Sequence, residues 1–170
     1  MEYTFAFILK EETMSKLKEI LFEAIKSARM SGVLQKLYLR TAENKDQAVY
    51  FLSVSNVPSK PELSEGFIDY MAIVENIDED AQELVSRLLK SNATIVTRTD
   101  DIDPAIFVEK LPILITLDKS KNEAEVIAYI LNGITKMLSL KKESVIKIIR
   151  SVIKEDNTEL IEAYKMVSRK

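Results

Sequence analysis

Apolar residues alternate across residues 2–9, placing Tyr3, Phe5, Phe7 and Leu9 on one side of an extended strand and Thr4, Ala6 and Ile8 on the other. From about residue 12 the period lengthens. Met14, Leu17, Leu21, Ala24, Ile25 and Ala28 fall on one stripe, while Lys16, Glu19, Glu23 and Lys26 fall opposite, which predicts an amphipathic helix over 12–31. Gly32 is placed to end that helix in a left-handed cap. Three extended segments follow without an intervening helix: Val33–Arg40, Ala48–Ser55 and Phe67–Glu75. The polar turn Thr41–Gln47 between the first two predicts an antiparallel hairpin. Asn56–Gly66, with Pro58, Pro61 and Gly66, is the longest irregular stretch and the best candidate for a functional loop.

Asn76 and Glu79 have capping-box spacing ahead of a helix that runs to about Lys90, with Ala81, Leu84, Val85 and Leu88 inward. Ala93–Thr97 is a short strand. Asp103-Pro104 supplies a cap and a first-turn proline for a short helix closed by Leu111-Pro112, and Ile113–Leu117 reads as a buried strand. Ser120 and Glu123 form a second capping box for a helix over 121–138, and two more helices are expected at 141–154 and 158–168. In the first of these three, Val126, Ile130 and Met137 widen the apolar arc. That width predicts burial on more than one side or an oligomer contact, with Tyr129 and Met137 as candidate contact residues. Gly133 inside it either permits close packing or marks an earlier end.

The order is that of an α/β or α+β fold: a mixed sheet of about five or six strands, packed helices, and a helical C-terminal portion. We expect a mixed α/β core over 1–118 and a helical portion over 119–170 that packs on or extends it. The charge changes sign at that boundary, with 13 basic and 20 acidic residues before it and 11 basic and 7 acidic after it.

Composition narrows the chemistry. The 170 residues include no histidine and no cysteine. Ser-His and Cys-His hydrolases, phosphohistidine transfer, ordinary structural zinc sites and disulfides are thereby excluded from this chain. Three glycines, at 32, 66 and 133, are too far apart for a phosphate-cradling loop. No apolar run reaches the length of a membrane span. No cofactor is expected, and a cytoplasmic location is the simplest reading of a chain without cysteine.

Carboxylates and cations supply the remaining candidates. Asp100, Asp101 and Asp103, between a strand and a short helix, are candidate ligands for a hard cation such as magnesium; a solvated turn with Asp103 as cap is the alternative. Glu62, Glu65 and Asp69 are an acidic trio beside the 56–66 loop. Residues 136–154 hold six cations against Glu143, and Lys147, Arg150 and Lys154 recur at i, i+3 and i+7. These three are candidate contacts for a protein partner or for a nucleic-acid backbone.

The stretch Ile-Leu-Ile-Thr-Leu-Asp from Ile113, followed by Lys-x-Glu-Ala-Glu-Val-Ile from Lys121 and two helices to Glu155, resembles the opening of sugar-phosphotransferase relay domains of the fructose/mannitol class over about a quarter of the chain. Those domains relay phosphate through a histidine. With none here, the resemblance implies no activity and no site residue for this sequence.

The functional expectation is therefore a non-enzymatic protein-interaction or scaffold domain that self-associates or joins a protein partner. Its alternatives are a nucleic-acid-associated protein using the basic helix 141–154 and a carboxylate-dependent magnesium enzyme.

Overall fold

The computed structural model describes residues 2–40, 46–58 and 65–169. Among the described residues six strands and six helices follow one another as β1 (Glu2–Ile8), α1 (Glu11–Ser27), β2 (Ser31–Arg40), β3 (Asp46–Ser55), β4 (Ile68–Ile73), α2 (Glu79–Leu88), β5 (Leu89–Arg98), a 3-10 helix (Pro104–Lys110), β6 (Ile113–Leu117), α3 (Glu123–Met137), α4 (Lys142–Val152) and α5 (Thr158–Val167). The fold is α/β with a six-stranded mixed sheet, in the order β2-β3-β1-β4-β5-β6, and a helical C-terminal portion. β1 pairs antiparallel with β3, whereas β1, β4, β5 and β6 run parallel to one another.

The chain divides into two compact units. The first comprises residues 1–10 and 32–119, the second 11–31 and 120–170. In the first, one face of the sheet carries Ala6, Ile8, Phe51, Met71, Ile73 and Ile95, which form a core with Ala81 and Val85 of α2 and Phe107 of the 3-10 helix. Strand alternation puts Phe5, Phe7, Leu52, Tyr70, Ala72 and Val96 on the opposite face, and these are buried as well. Burial on both faces explains why the strand sequences read as nearly continuous apolar runs. In the second unit α1 packs on α3 and α4, and α5 packs on α3 and α4. Thr135 Oγ1 on α3 donates to Leu131 O at 2.6 Å and lies 3.3 Å from the Tyr164 hydroxyl of α5, so both hydroxyls are satisfied inside.

The helix ends correct several expectations. α1 stops at Ser27, not at Gly32, which lies in β2. Arg29 takes the left-handed conformation at φ 60°, its N–H donates to Lys26 O, and Met30 N–H donates to Ile25 O. These are the two bonds of a Schellman cap, formed here without glycine. Ser139 closes α3 in the same way, at φ 57°, so the helix runs through Gly133. Both expected capping boxes are shifted by two residues. Asp78, not Asn76, accepts from Ala81 N at 2.8 Å, and Asn122, not Ser120, accepts from Glu125 N at 2.9 Å. An oxygen-bearing side chain occurs at both registers, and the apolar stripe that must face the core chooses between them.

The Asp103-Pro104 start holds, although the helix it opens is 3-10, with Asp103 Oδ1 accepting from Ala105 N at 3.1 Å. Ile113–Leu117 is not a buried strand. It is the last strand of the sheet, bonded on one side to β5, with Ile113, Leu114 and Thr116 exposed.

Candidate functional site

Three regions stand out, two of them carrying side chains singled out from the sequence. The first is the rim formed by the carboxyl ends of β5 and β6. Asp101 is buried and its Oδ2 accepts from Arg98 Nε at 2.8 Å. Asp103 is committed to its cap, and its N–H donates to Gln82 Oε1 at 2.7 Å. Gln82 is itself buried and donates from Nε2 to Ile77 O, which ties the end of this turn to α2. Asp100 stands in solvent at φ 68°, with Lys119 Nζ 4.0 Å from its carboxylate and Asn76 Nδ2 3.5 Å from its carbonyl oxygen. The three carboxylates therefore have separate partners, and among the described residues no three acidic side chains converge as a metal site. Asn76, expected as a helix cap, serves this turn instead.

The acidic trio beside the loop is described only in part. Glu62 and residues 59–64 lie outside the described residues, as do 41–45 of the expected hairpin turn. Asp69 is engaged elsewhere, accepting from Thr4 N at 2.8 Å and from Lys90 Nζ at 2.7 Å.

The second region is the helical unit. Lys147 and Arg150 project to solvent from α4, and Lys154 lies exposed just beyond its end, while Val145, Ile146, Ile148 and Ile149 are buried. Tyr129 and Met137 are half-buried on α3. Tyr129 lines a cleft of about 230 Å³ between α3 and α5 with Ala163, Met166 and Val167. A larger cleft of about 420 Å³ lies across Asn122 and Glu159, with Lys16, Glu123, Glu155 and Asp156 at its polar edge and Ile127, Ile153 and Leu160 at its floor. Asn122 Nδ2 donates to Glu159 Oε1 at 2.7 Å between the two clefts. Glu123 accepts from Thr13 Oγ1 and from Lys16 Nζ. Its hydrogen bond and charge raise the Lys16 ammonium above the ordinary lysine value. The hydrogen bond from Lys121 lowers Glu125 below the ordinary carboxylate value. Both carboxylates sit in the first turn of α3, where negative charge is favoured without any ligand.

The third region is one that periodicity did not single out. Val108 and Leu111, in the 3-10 helix and at its end, and Ile113 and Leu114 on the edge strand β6 are 60, 68, 58 and 36% exposed. Leu111 holds φ 47°, ψ 52°, a left-handed conformation that is costly for a leucine. A sequence signal was present, since residues 111–117 contain no charge, but the same run suits a central strand equally well.

Neither a family model nor a curated protein sequence matches the chain. Its fold is shared with subunits and domains of oxidoreductases. The gamma subunit of a keto/oxoacid ferredoxin oxidoreductase from Geobacter sulfurreducens superposes with a TM-score of 0.64 at 18% identity, over 100% of this chain and 96% of that one. Pyruvate oxidoreductase subunit PORC from Thermotoga maritima gives 0.58 at 14% identity, over 99% of this chain and 93% of that one. The 2-oxoglutarate:ferredoxin oxidoreductase from Magnetococcus marinus, solved with 2-oxoglutarate, coenzyme A and succinyl-CoA bound, gives 0.67 at 12% identity. There the match spans 99% of this chain and 31% of the longer one. At these identities the likeness is one of fold. It nevertheless corrects the expectation of a non-enzymatic scaffold domain and its nucleic-acid alternative, because the three solved proteins named here are oxidoreductases or subunits of one.

Proposed function

We propose that this chain is the gamma-type subunit of a 2-oxoacid:ferredoxin oxidoreductase, a complex that oxidises a 2-oxoacid and passes the electrons to ferredoxin. The observation that carries this reading is the end-to-end match to a free-standing gamma subunit, 100% of this chain on 96% of the other. Two properties of the chain support it. It has no cysteine with which to hold an iron–sulfur cluster, so the electron-carrying groups belong to other subunits. It also displays an exposed apolar sheet edge, as a chain built to be covered does. Among the described residues no helix is long and apolar enough to cross a membrane. We place the complex in the cytoplasm, with protein subunits as this chain's partners.

Co-expression with the remaining subunits of the 2-oxoacid:ferredoxin oxidoreductase of the same organism tests the reading. The expected result is a single complex that contains this chain and reduces ferredoxin with a 2-oxoacid. Migration of this chain apart from those subunits, alone or as copies of itself, would overturn it.

A further inference from the structure

We propose that the acidic cleft where α3 and α5 begin is a docking site for a partner subunit, and that its occupant is a segment with a lysine or arginine beside an apolar residue. The inference rests on the subunit reading above and deepens it by naming a contact. Residues 119–170 carry 11 basic residues against 7 acidic ones. Among the described residues none of those cations lines the cleft of about 420 Å³, whereas Glu123, Glu155, Asp156 and Glu159 all do. Lys16 of α1 is the one described cation at its edge, and it is spent on Glu123. Asn122 takes one oxygen of Glu159. Glu155 and Asp156 are exposed and have no ion pair or hydrogen bond among the described residues.

Helix polarity favours Glu123 and Glu159, each in a first turn, but Glu155 and Asp156 lie outside both helices. Nor do these two serve as caps. α5 begins without a side-chain cap, and Asn157 Nδ2 turns back to Ile153 O at 2.8 Å. Carboxylates gathered in one concavity repel one another and focus a negative potential there, in a stretch of chain that is otherwise basic. A cation brought by a partner relieves that repulsion. The floor selects what carries the cation. Ile127, Ile153 and Leu160 offer aliphatic surface beneath the carboxylates, which suits the methylene stem of a lysine or arginine and not a bare metal ion. The volume falls within the range of about 300–1,000 Å³ usual for binding clefts. Across Asn122 and Glu159 the smaller cleft presents Tyr129, Ala163 and Met166, the last 64% exposed. A segment crossing that ridge meets carboxylates on one side and apolar side chains on the other, hence the paired basic and apolar residues of its occupant. Charge sets partner choice and association rate, and the apolar contact adds residence.

The test uses the full chain co-expressed with the other subunits. Glu155→Lys combined with Asp156→Lys should weaken association by about tenfold or more, while the melting temperature of the isolated chain stays within a few degrees of wild type. Glu155→Gln with Asp156→Asn should weaken it less, and wild-type association should fall as salt is added. Glu19→Lys with Glu83→Lys, an equal change of charge at exposed positions on α1 and α2, should leave assembly unchanged. Carbodiimide-driven labelling of carboxylates, read by mass spectrometry, should show Glu155 and Asp156 protected on assembly, a readout that needs no variant. Wild-type strength in the lysine variant, or unchanged labelling, overturns the inference and leaves the subunit reading intact. Protection of the isolated chain by spermidine but not by the other subunits shows a free polyamine as occupant and overturns it too. Lysine variants that only dissolve a self-associated form of this chain point to a second copy, with the same consequence. If the wild-type chain joins no such complex, both readings fall together.

Discussion

The backbone N–H of Thr4 donates to Asp69 Oδ2 at 2.8 Å, just where the parallel ladder of β1 and β4 begins at Phe5 and Tyr70. Asp69 thereby extends the pairing by one side-chain bond, and its other oxygen accepts from Lys90 Nζ. Loss of the carboxylate strands a part-buried N–H. Asp69→Ala should destabilise the chain by about 1–3 kcal/mol, and Lys90→Ala by about 0–1 kcal/mol because that cation is half exposed. Urea unfolding of both variants gives the comparison, and equal losses would contradict the unequal roles.

Arg98 and Asp101 should behave quite differently from Asp100. Arg98→Ala leaves a carboxylate buried without its ion pair, an expected loss of about 3 kcal/mol. Asp100→Ala removes an exposed group and should change stability by less than about 0.5 kcal/mol. Millimolar magnesium should not shift the melting temperature of the wild-type chain, since the three carboxylates of this turn have separate partners. A reproducible upward shift would restore the metal reading.

Alkaline pH should weaken the fold through Tyr70. Burial pushes its phenol well above the ordinary tyrosine value. In the unfolded chain the group ionises near its ordinary value, so the unfolded state has fewer bound protons above about pH 10 and stability falls as pH rises. Below that value the contribution is fully present. Tyr70→Phe should flatten the fall in unfolding free energy between about pH 9 and about pH 11. An unchanged slope would assign the alkaline limb to other groups.

The two Schellman caps offer stabilising substitutions. Arg29→Gly and Ser139→Gly relieve left-handed backbone at φ 60° and 57°. Each should add about 0.5–1 kcal/mol, net of the greater freedom of glycine in the unfolded chain. Thermal melts check this, and destabilisation by both would mean that their side chains do more than close a helix.

From sequence alone, the absence of histidine and cysteine points to a non-enzymatic interaction or scaffold domain, because it limits what this chain can do by itself. It carries no such limit for a subunit, whose reacting groups can reside on its partners. Asp100, Asp101 and Asp103 were legible as a turn and a cap but not as three separately bonded groups. Arg98 reaches Asp101, and Gln82 on α2 reaches the N–H of Asp103, only in the folded chain.

By itself the sequence determined the succession of strands and helices, a mixed sheet with packed helices and the Asp103-Pro104 helix start, because local periodicity and cap chemistry are short-range. Tertiary structure decided the order β2-β3-β1-β4-β5-β6, the grouping of α1 with α3, α4 and α5, and the choice of Asp78 and Asn122 as caps. It also put Ile113–Leu117 at an edge. An apolar run specifies that its side chains prefer burial, but it does not specify which strand or which molecule buries them.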